Sequence, residues 1–144
     1  MLLTNGAGAI TGQRPVIWLP TVDRSRAGVW AASRPSAVQK LRGTPRLHLN
    51  LTGTQADGTV VAYLYDLDAI GNATLITHAP VSWHASSGGD RTLDVDLWAT
   101  AYDVPAGHAV TLVVDTVDPL YYDENASGRT ITVAGGSYLD LPLK

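Results

Sequence analysis

Hydrophobic and polar residues alternate with a period of two along much of the chain. Within Arg46–Thr52, three leucines at odd-numbered positions alternate with His48, Asn50 and Thr52, and within Arg91–Trp98 apolar residues alternate with two aspartates. Successive side chains of a β-strand point to opposite faces of its sheet. Both patterns therefore predict strands with one face in the core and one in solvent.

Two further stretches are apolar almost without interruption. Thr59–Asp66 and Ala109–Thr116 combine β-branched, aromatic and aliphatic residues. Such runs are typical of central strands that are covered on both faces. Shorter runs predict additional strands over Val16–Leu19, Val29–Ser33, Ala73–Trp83, Arg129–Val133 and Tyr138–Leu141.

Turn-forming residues separate these segments. Asp57-Gly58 is a hairpin signal, and other breaks fall at 70–72, 87–90, 105–107, 127–128 and 135–136. No window of a dozen residues repeats apolar groups at helical spacing without a glycine or proline inside it. About eight to ten strands separated by turns predict an all-β fold, a two-sheet antiparallel sandwich or jelly roll.

Composition limits the class of protein. The 144 residues fit one domain, and we divide them into a Gly/Ala/Thr-rich linker or cloning remnant at 1–15 and a β-sandwich at 16–144. The net charge of −3 gives no basic surface for nucleic acid and no membrane anchor. No cysteine is present, and no signal peptide or membrane-spanning run is predicted, so localisation stays open between cytoplasmic and secreted.

Catalytic motifs are absent from the sequence. No serine lies in a G-x-S-x-G elbow, and the most similar stretch, Gly135–Leu139, leads into a predicted strand. The four histidines show no i, i+2 or i, i+4 pair, so we predict no metal site and no cofactor. His108 follows a Pro-Ala-Gly turn, and we expect its ring to bond the backbone of that turn. We therefore predict no catalytic residue.

Several residues are candidates for binding. Trp83 and His84 precede a polar turn, which suggests a position near a rim, and Tyr121 and Tyr122 lie in the acidic segment 115–124. Aromatic side chains can form a carbohydrate platform, a domain–domain contact or part of a sandwich core. The spacing of acidic residues in this segment does not match an EF-hand loop. A solvated loop is therefore a simpler interpretation of the segment than a calcium site.

From about Gly28 onward, several short segments occur in the order found in one known family. They are Leu41–Pro45, Asp57–Gly58, Tyr65–Asp68, Gly71–Thr77, Ala106–His108, Asp118–Tyr121 and Ser137–Leu143. Together they resemble the C-terminal domain of the X-prolyl dipeptidyl-peptidase family, which also occurs in cocaine esterase and the α-amino acid ester hydrolases. The resemblance implies a jelly roll of the galactose-binding-like type that follows an α/β-hydrolase domain and helps to wall its active site.

Three functions remain open at this stage. The first, which the resemblance favours, is a non-catalytic accessory domain of a serine hydrolase of the dipeptidyl-peptidase or esterase type. Its partner is then an α/β-hydrolase catalytic domain. The second is a carbohydrate-binding module that uses Trp83, Tyr121 and Tyr122. The third is a structural domain that forms a homo-oligomer through a sheet face or edge.

Overall fold

The structure is a computed structural model that describes residues 13–118, 121, 125 and 130–144. Within those residues the chain forms eleven β-strands and one turn of 3-10 helix, Leu19–Thr21. The strands are β1 Val16–Trp18, β2 Ala27–Ala31, β3 Gln39–Gly43, β4 Arg46–Thr54, β5 Asp57–Leu67, β6 Asn72–His84, β7 Gly89–Asp96, β8 Thr100–Val104, β9 Ala109–Asp115, β10 Thr132–Val133 and β11 Tyr138–Asp140.

The strands form two main antiparallel sheets and one small sheet. The first has the order β1-β6-β5-β9-β2. In the second, β4 pairs with β7 along one edge and with β10 and β11 along the other. Strands β3 and β8 pair only with each other among the named strands, and they close one end of the core. The all-β antiparallel sandwich of jelly-roll type is thus confirmed, whereas the galactose-binding-like subtype stays a prediction.

The main core lies between the two sheets. Leu47, Leu49 and Leu51 of β4 are each at most 2% exposed and face inward-pointing residues of β5, β6 and β9. The alternation along β4 therefore positions its leucines as expected. His48 and Asn50 lie on the opposite, solvent-facing side of β4 and are partly exposed.

A second apolar cluster covers the outer face of the five-stranded sheet. It contains Val61, Tyr63 and Tyr65 of β5, which pack beneath Leu19 and Val22 from the segment after β1. Because Val60, Ala62 and Leu64 face the main core, β5 is buried on both sides. The prediction that the two continuous apolar runs are central strands is confirmed for both β5 and β9.

Two observed strands, β3 and β8, were not predicted from the sequence. They mix charged and apolar residues over only five positions each, so neither shows a clear alternation. Every strand that was predicted overlaps an observed strand. For the stretch beginning at Arg129, only Thr132–Val133 forms a strand, and Arg129 itself lies outside the described residues. The proposed boundary at residue 15 stays a prediction, since residues 1–12 also lie outside them.

The hairpin predicted at Asp57-Gly58 is wrong. β4 and β5 belong to different sheets, so no hairpin joins them. Asp57 and Gly58 are the first two residues of β5 and do not form a turn. Gly58 is paired across the strands with Trp83. A Cβ at this position would lie 2.2 Å from the indole ring, so the glycine provides space for that ring rather than a turn.

Candidate functional site

A cluster of aromatic rings lies on the outer face of the five-stranded sheet. His78 of β6 is paired with Tyr63 of β5, and the two rings stack with centroids 5.7 Å apart. The His78 Nε2 atom lies 2.7 Å from the Tyr121 hydroxyl oxygen. Trp98 contacts the imidazole at a centroid distance of 4.5 Å and is 59% exposed. The cluster thus runs from a buried tyrosine to an exposed tryptophan.

A buried carboxylate hydrogen-bonds one ring of this cluster. The Tyr63 hydroxyl donates a hydrogen bond to Asp118, whose residue is only 3% exposed. Burial raises the pKa of Tyr63 well above its usual range, and the hydrogen bond to Asp118 adds to that rise. Burial lowers the pKa of His78, against an opposing effect of the Asp118 charge. At neutral pH both rings are therefore uncharged, and the cluster presents an aromatic rather than a cationic surface.

The outer edge of β6 is covered by two short segments. Just before β1, the Pro15 carbonyl oxygen accepts a hydrogen bond from the Leu75 amide at 2.8 Å. Further along, the His78 carbonyl accepts the Trp98 amide at 3.4 Å, and the Thr77 hydroxyl donates to the Trp98 carbonyl at 2.7 Å. Trp98 is therefore held at this edge by its backbone, while its indole remains largely in solvent.

Trp83 does not lie at an exposed rim. Its residue is only 6% exposed, because the indole covers Gly58 within the main core. The indole N–H donates to the Gln55 carbonyl at 3.0 Å, and the Arg91 guanidinium lies 5.6 Å from the ring centroid. The expected position of Trp83 near a rim is therefore wrong, and its role as a binding or interdomain contact stays a prediction.

The other three predicted site residues fall in different places. The side chain of His84 is 89% exposed and bonds the Asp57 carboxylate. Tyr121 joins the His78 cluster, whereas Tyr122 lies outside the described residues. His84 is six residues beyond His78 on β6, a separation of roughly 20 Å along a strand. The structure therefore does not unite His84 with Tyr121, and their binding roles stay predictions.

Three histidines pair with aspartates through Nδ1. His48 bonds Asp94 at 2.7 Å, His84 bonds Asp57, and His108 bonds Asp66 at 2.8 Å. An Asp–His pair needs a nucleophile on the other ring nitrogen to act in acyl transfer. In the part of the chain that the structure describes, no serine hydroxyl hydrogen-bonds a histidine.

His108 has a structural position, but with an unexpected partner. Its ring bonds the carboxylate of Asp66, which is 5% exposed, rather than the backbone of the preceding turn. The Tyr102 hydroxyl donates to the second oxygen of the same carboxylate at 2.8 Å. The buried charge is thereby hydrogen-bonded on both oxygens, which is how a buried carboxylate is normally accommodated.

No group of three or more His, Asp or Glu side chains among those described could hold a metal ion. The described residues contain no helix with the length and apolar character needed to cross a bilayer.

The family model of the X-Pro dipeptidyl-peptidase C-terminal non-catalytic domain matches residues 37–139. This match takes in β3 through β11 and most of both sheets. The fold defines the class as an antiparallel β-sandwich domain. The chain belongs to the X-Pro dipeptidyl-peptidase C-terminal domain family, as the ordered segments in the sequence suggested. No match was found among curated proteins.

Solved structures of larger enzymes share the fold. An α-amino acid ester hydrolase is 18% identical with a TM-score of 0.71, over 84% of this chain and 26% of that one. An aminopeptidase from a marine sediment archaeon, Thaumarchaeota archaeon, is 17% identical with a TM-score of 0.63, over 74% and 20%. A CocE/NonD family hydrolase from Staphylococcus aureus is 13% identical with a TM-score of 0.60, over 83% and 33%. The chain thus spans a third or less of each.

Trp98 was not among the residues predicted to bind. Trp98 and His78, rather than Trp83, accompany Tyr121 on the surface. One local signal was available: Trp98 follows an alternating strand and is the first residue after the inward-facing Leu97. Its outward position could have been read from that alternation.

Proposed function

We propose that this domain is the non-catalytic C-terminal part of a serine hydrolase of the X-Pro dipeptidyl-peptidase or acyl esterase type. In this proposal it packs on an α/β-hydrolase domain and shapes the active-site cleft. The observation that carries the proposal is the family match over residues 37–139. Three solved enzymes support it, since in each of them a region with this fold is a minor part of a longer chain.

The architecture suits a wall rather than a catalyst. β5 is buried on both faces, and the sandwich around it is a rigid body with turns at its ends. A rigid wall beside a catalytic centre restricts substrate size and excludes water, so it changes specificity without adding a reacting group.

The test is hydrolysis of chromogenic X-Pro amides and short esters. We expect no turnover by this chain alone. When it is added to the α/β-hydrolase domain encoded in the same gene, we expect the KM values to shift more for long substrates than for short ones. Turnover by the isolated chain that disappears on substitution of one of its own serines would refute the proposal.

Glycan binding is a second candidate function, which one observation favours. Tyr138 of β11 is 55% exposed on the outer face of the second sheet, where its ring stacks on His48 at 4.9 Å. Asp94 and the hydrogen-bonded Asn50–Thr92 pair lie beside it. A flat aromatic ring with polar neighbours is the usual arrangement for stacking a sugar.

Affinity electrophoresis through polysaccharide gels tests this second function. Retardation that is lost in Tyr138→Ala and retained in Trp98→Ala would support it. No retardation in any gel, or retardation that Tyr138→Ala leaves unchanged, would exclude glycan binding at this face.

A further inference from the structure

We propose that one flank of the sandwich is the surface by which this domain docks onto its α/β-hydrolase domain. The β6 flank is defined by Val16, Trp18, Ile70 and Trp98. This inference rests on the proposed function and goes further by assigning the docking face, which no comparison identifies.

Large apolar side chains are exposed along this flank. Val16, Trp18 and Trp98 are 47%, 55% and 59% exposed, and Ile70 is 76% exposed. Trp18 and Ile70 are linked, since the indole N–H lies 3.3 Å from the Ile70 carbonyl oxygen. From residue 72 to residue 78, the edge of β6 spans about 20 Å, and Ile70 lies in the turn just before it. A surface of this length fits within a standard interface patch of roughly 800 Å² per partner.

The flank is also depleted of charge. None of the chain's ten basic and thirteen acidic residues lies within 15–22, 69–83 or 97–102, the three segments that build it. Two charged residues border the flank. The Arg14 guanidinium is directed to the carbonyl oxygens of Leu75 and Ile76 and lies over the Tyr102 ring. The Asp68 carboxylate accepts the amides of Ile70 and Asn72, each at 2.9 Å. Loss of charge together with exposed tryptophan is the compositional mark of an interface core.

One other surface shares this combination, and the outer face of the second sheet does not. The outer face of the second sheet carries an exposed Arg46–Asp96 ion pair and an exposed Asp94. At the opposite edge of the first sheet, Trp30 is 44% exposed above a groove of about 510 Å³, which Tyr138 also lines. The lining of this groove also contains no charged residue. We place the docking surface on the β6 flank rather than on this groove because the chain enters the sandwich at the edge of β6.

The occupant is indicated by the order of the domains. The family is described as a C-terminal domain, so in the proposed function the catalytic domain precedes this one in the protein. The chain reaches the sandwich at Arg14 and Pro15, directly on the edge of β6. A domain connected there can cover Trp18 and Trp98 without its linker crossing either sheet. The complementary face on the hydrolase domain should be mainly apolar, because the charged groups described at the border of the flank, Arg14 and Asp68, already hydrogen-bond this chain.

The experiment is binding between this chain and the α/β-hydrolase domain encoded upstream in the same gene, measured by isothermal titration calorimetry. Trp18→Glu, Ile70→Glu and Trp98→Glu place a charge in the flank, and Trp30→Glu is the matched control at the opposite edge. Each of these side chains is more than two-fifths exposed, so circular dichroism and melting curves should match those of the wild type.

The flank variants should each weaken binding about 30-fold or more, as loss of an interface hot spot does, and Trp30→Glu should not. The wild-type Kd should change little between 0.15 and 1 M NaCl, because an uncharged interface is not screened. Ile70→Glu keeps the test decisive if a tryptophan variant fails to fold, since Ile70 is the most exposed of the four.

The remaining outcomes are distinguishable. Weaker binding in Trp30→Glu alone would overturn the docking face and leave the accessory function standing. If the wild type neither binds the hydrolase domain nor alters its hydrolysis of X-Pro amides, the proposed function itself fails. If the flank variants abolish self-association and leave hydrolase binding unchanged, a second copy of this chain occupies the flank, and the proposal is wrong.

Discussion

Replacement of Gly58 by alanine should destabilise the domain through a single steric contact. Gly58 lies in extended backbone within β5, so alanine imposes no conformational strain there. The added methyl carbon would lie 2.2 Å from one ring carbon of Trp83 and 2.7 Å from two others. Ordinary carbon–carbon contacts are about 3.5–4.0 Å, so the indole must move by more than about 1 Å.

The size of the effect follows from what holds the ring. Overpacking of a core costs about 1–3 kcal/mol. Displacement of the indole also endangers its hydrogen bond to the Gln55 carbonyl, which contributes about 0.5–1.5 kcal/mol net. We therefore expect Gly58→Ala to lower the free energy of unfolding by about 2–4 kcal/mol. At an m-value of about 2 kcal/mol/M, the urea midpoint should fall by about 1–2 M.

A double-mutant cycle isolates the contact. In a Trp83→Leu background the methyl group of Gly58→Ala no longer meets an indole, so the substitution should cost less than about 0.5 kcal/mol there. Gly135→Ala is the matched control, because no heavy atom lies within 4 Å of its added carbon. That variant should be unchanged or up to about 1 kcal/mol more stable. Equal losses from Gly58→Ala in both backgrounds would refute the steric explanation.

Three further predictions concern charge and hydrogen bonding. Because burial lowers the pKa of His78, the folded state resists its protonation, and stability should be lost as pH falls below 6.5; urea titrations at several pH values should show a smaller loss in His78→Gln, which can still bond Tyr121. Burial raises the pKa of Asp115, so its stability contribution declines as pH rises above 3.8. Asp115→Asn keeps the oxygen that accepts the Val117 amide at 3.0 Å and should be more stable at neutral pH, and an unchanged or lower melting temperature would contradict this. Arg34 links two turns by donating to the carbonyl oxygens of Leu67, Asp68 and Gly107. Since it is exposed, Arg34→Ala should cost only about 1 kcal/mol in urea unfolding, with partial recovery in Arg34→Lys.

The central strands could be predicted because burial is encoded locally in their residues. Alternation in β4 and continuous apolar character in β5 and β9 each reflect how many faces of a strand are covered. β3 and β8 could not be predicted in this way. Only two of their residues, Leu41 and Val104, are fully buried, so no period emerges over five positions.

The candidate site depended on contacts that sequence does not display. Trp83 is buried because the register of β5 and β6 places it opposite a glycine, and that pairing joins residues 25 positions apart. The charge-free segments 15–22, 69–83 and 97–102 were visible in the sequence. Their meaning appeared only when the sheet order brought all three to one edge.

The pairing of β4 with β11 has a consequence for synthesis. The edge of β4 at residues 46–48 finds its partner only at residues 138–140. At roughly 5–20 residues per second, the ribosome needs about 5–18 s to supply the intervening chain. During that interval one edge of an apolar strand stays without its native partner, exposed to other nascent chains. Yield in cells should therefore respond to translation speed and to chaperones that shield strand edges, even in variants whose folded-state stability is unchanged.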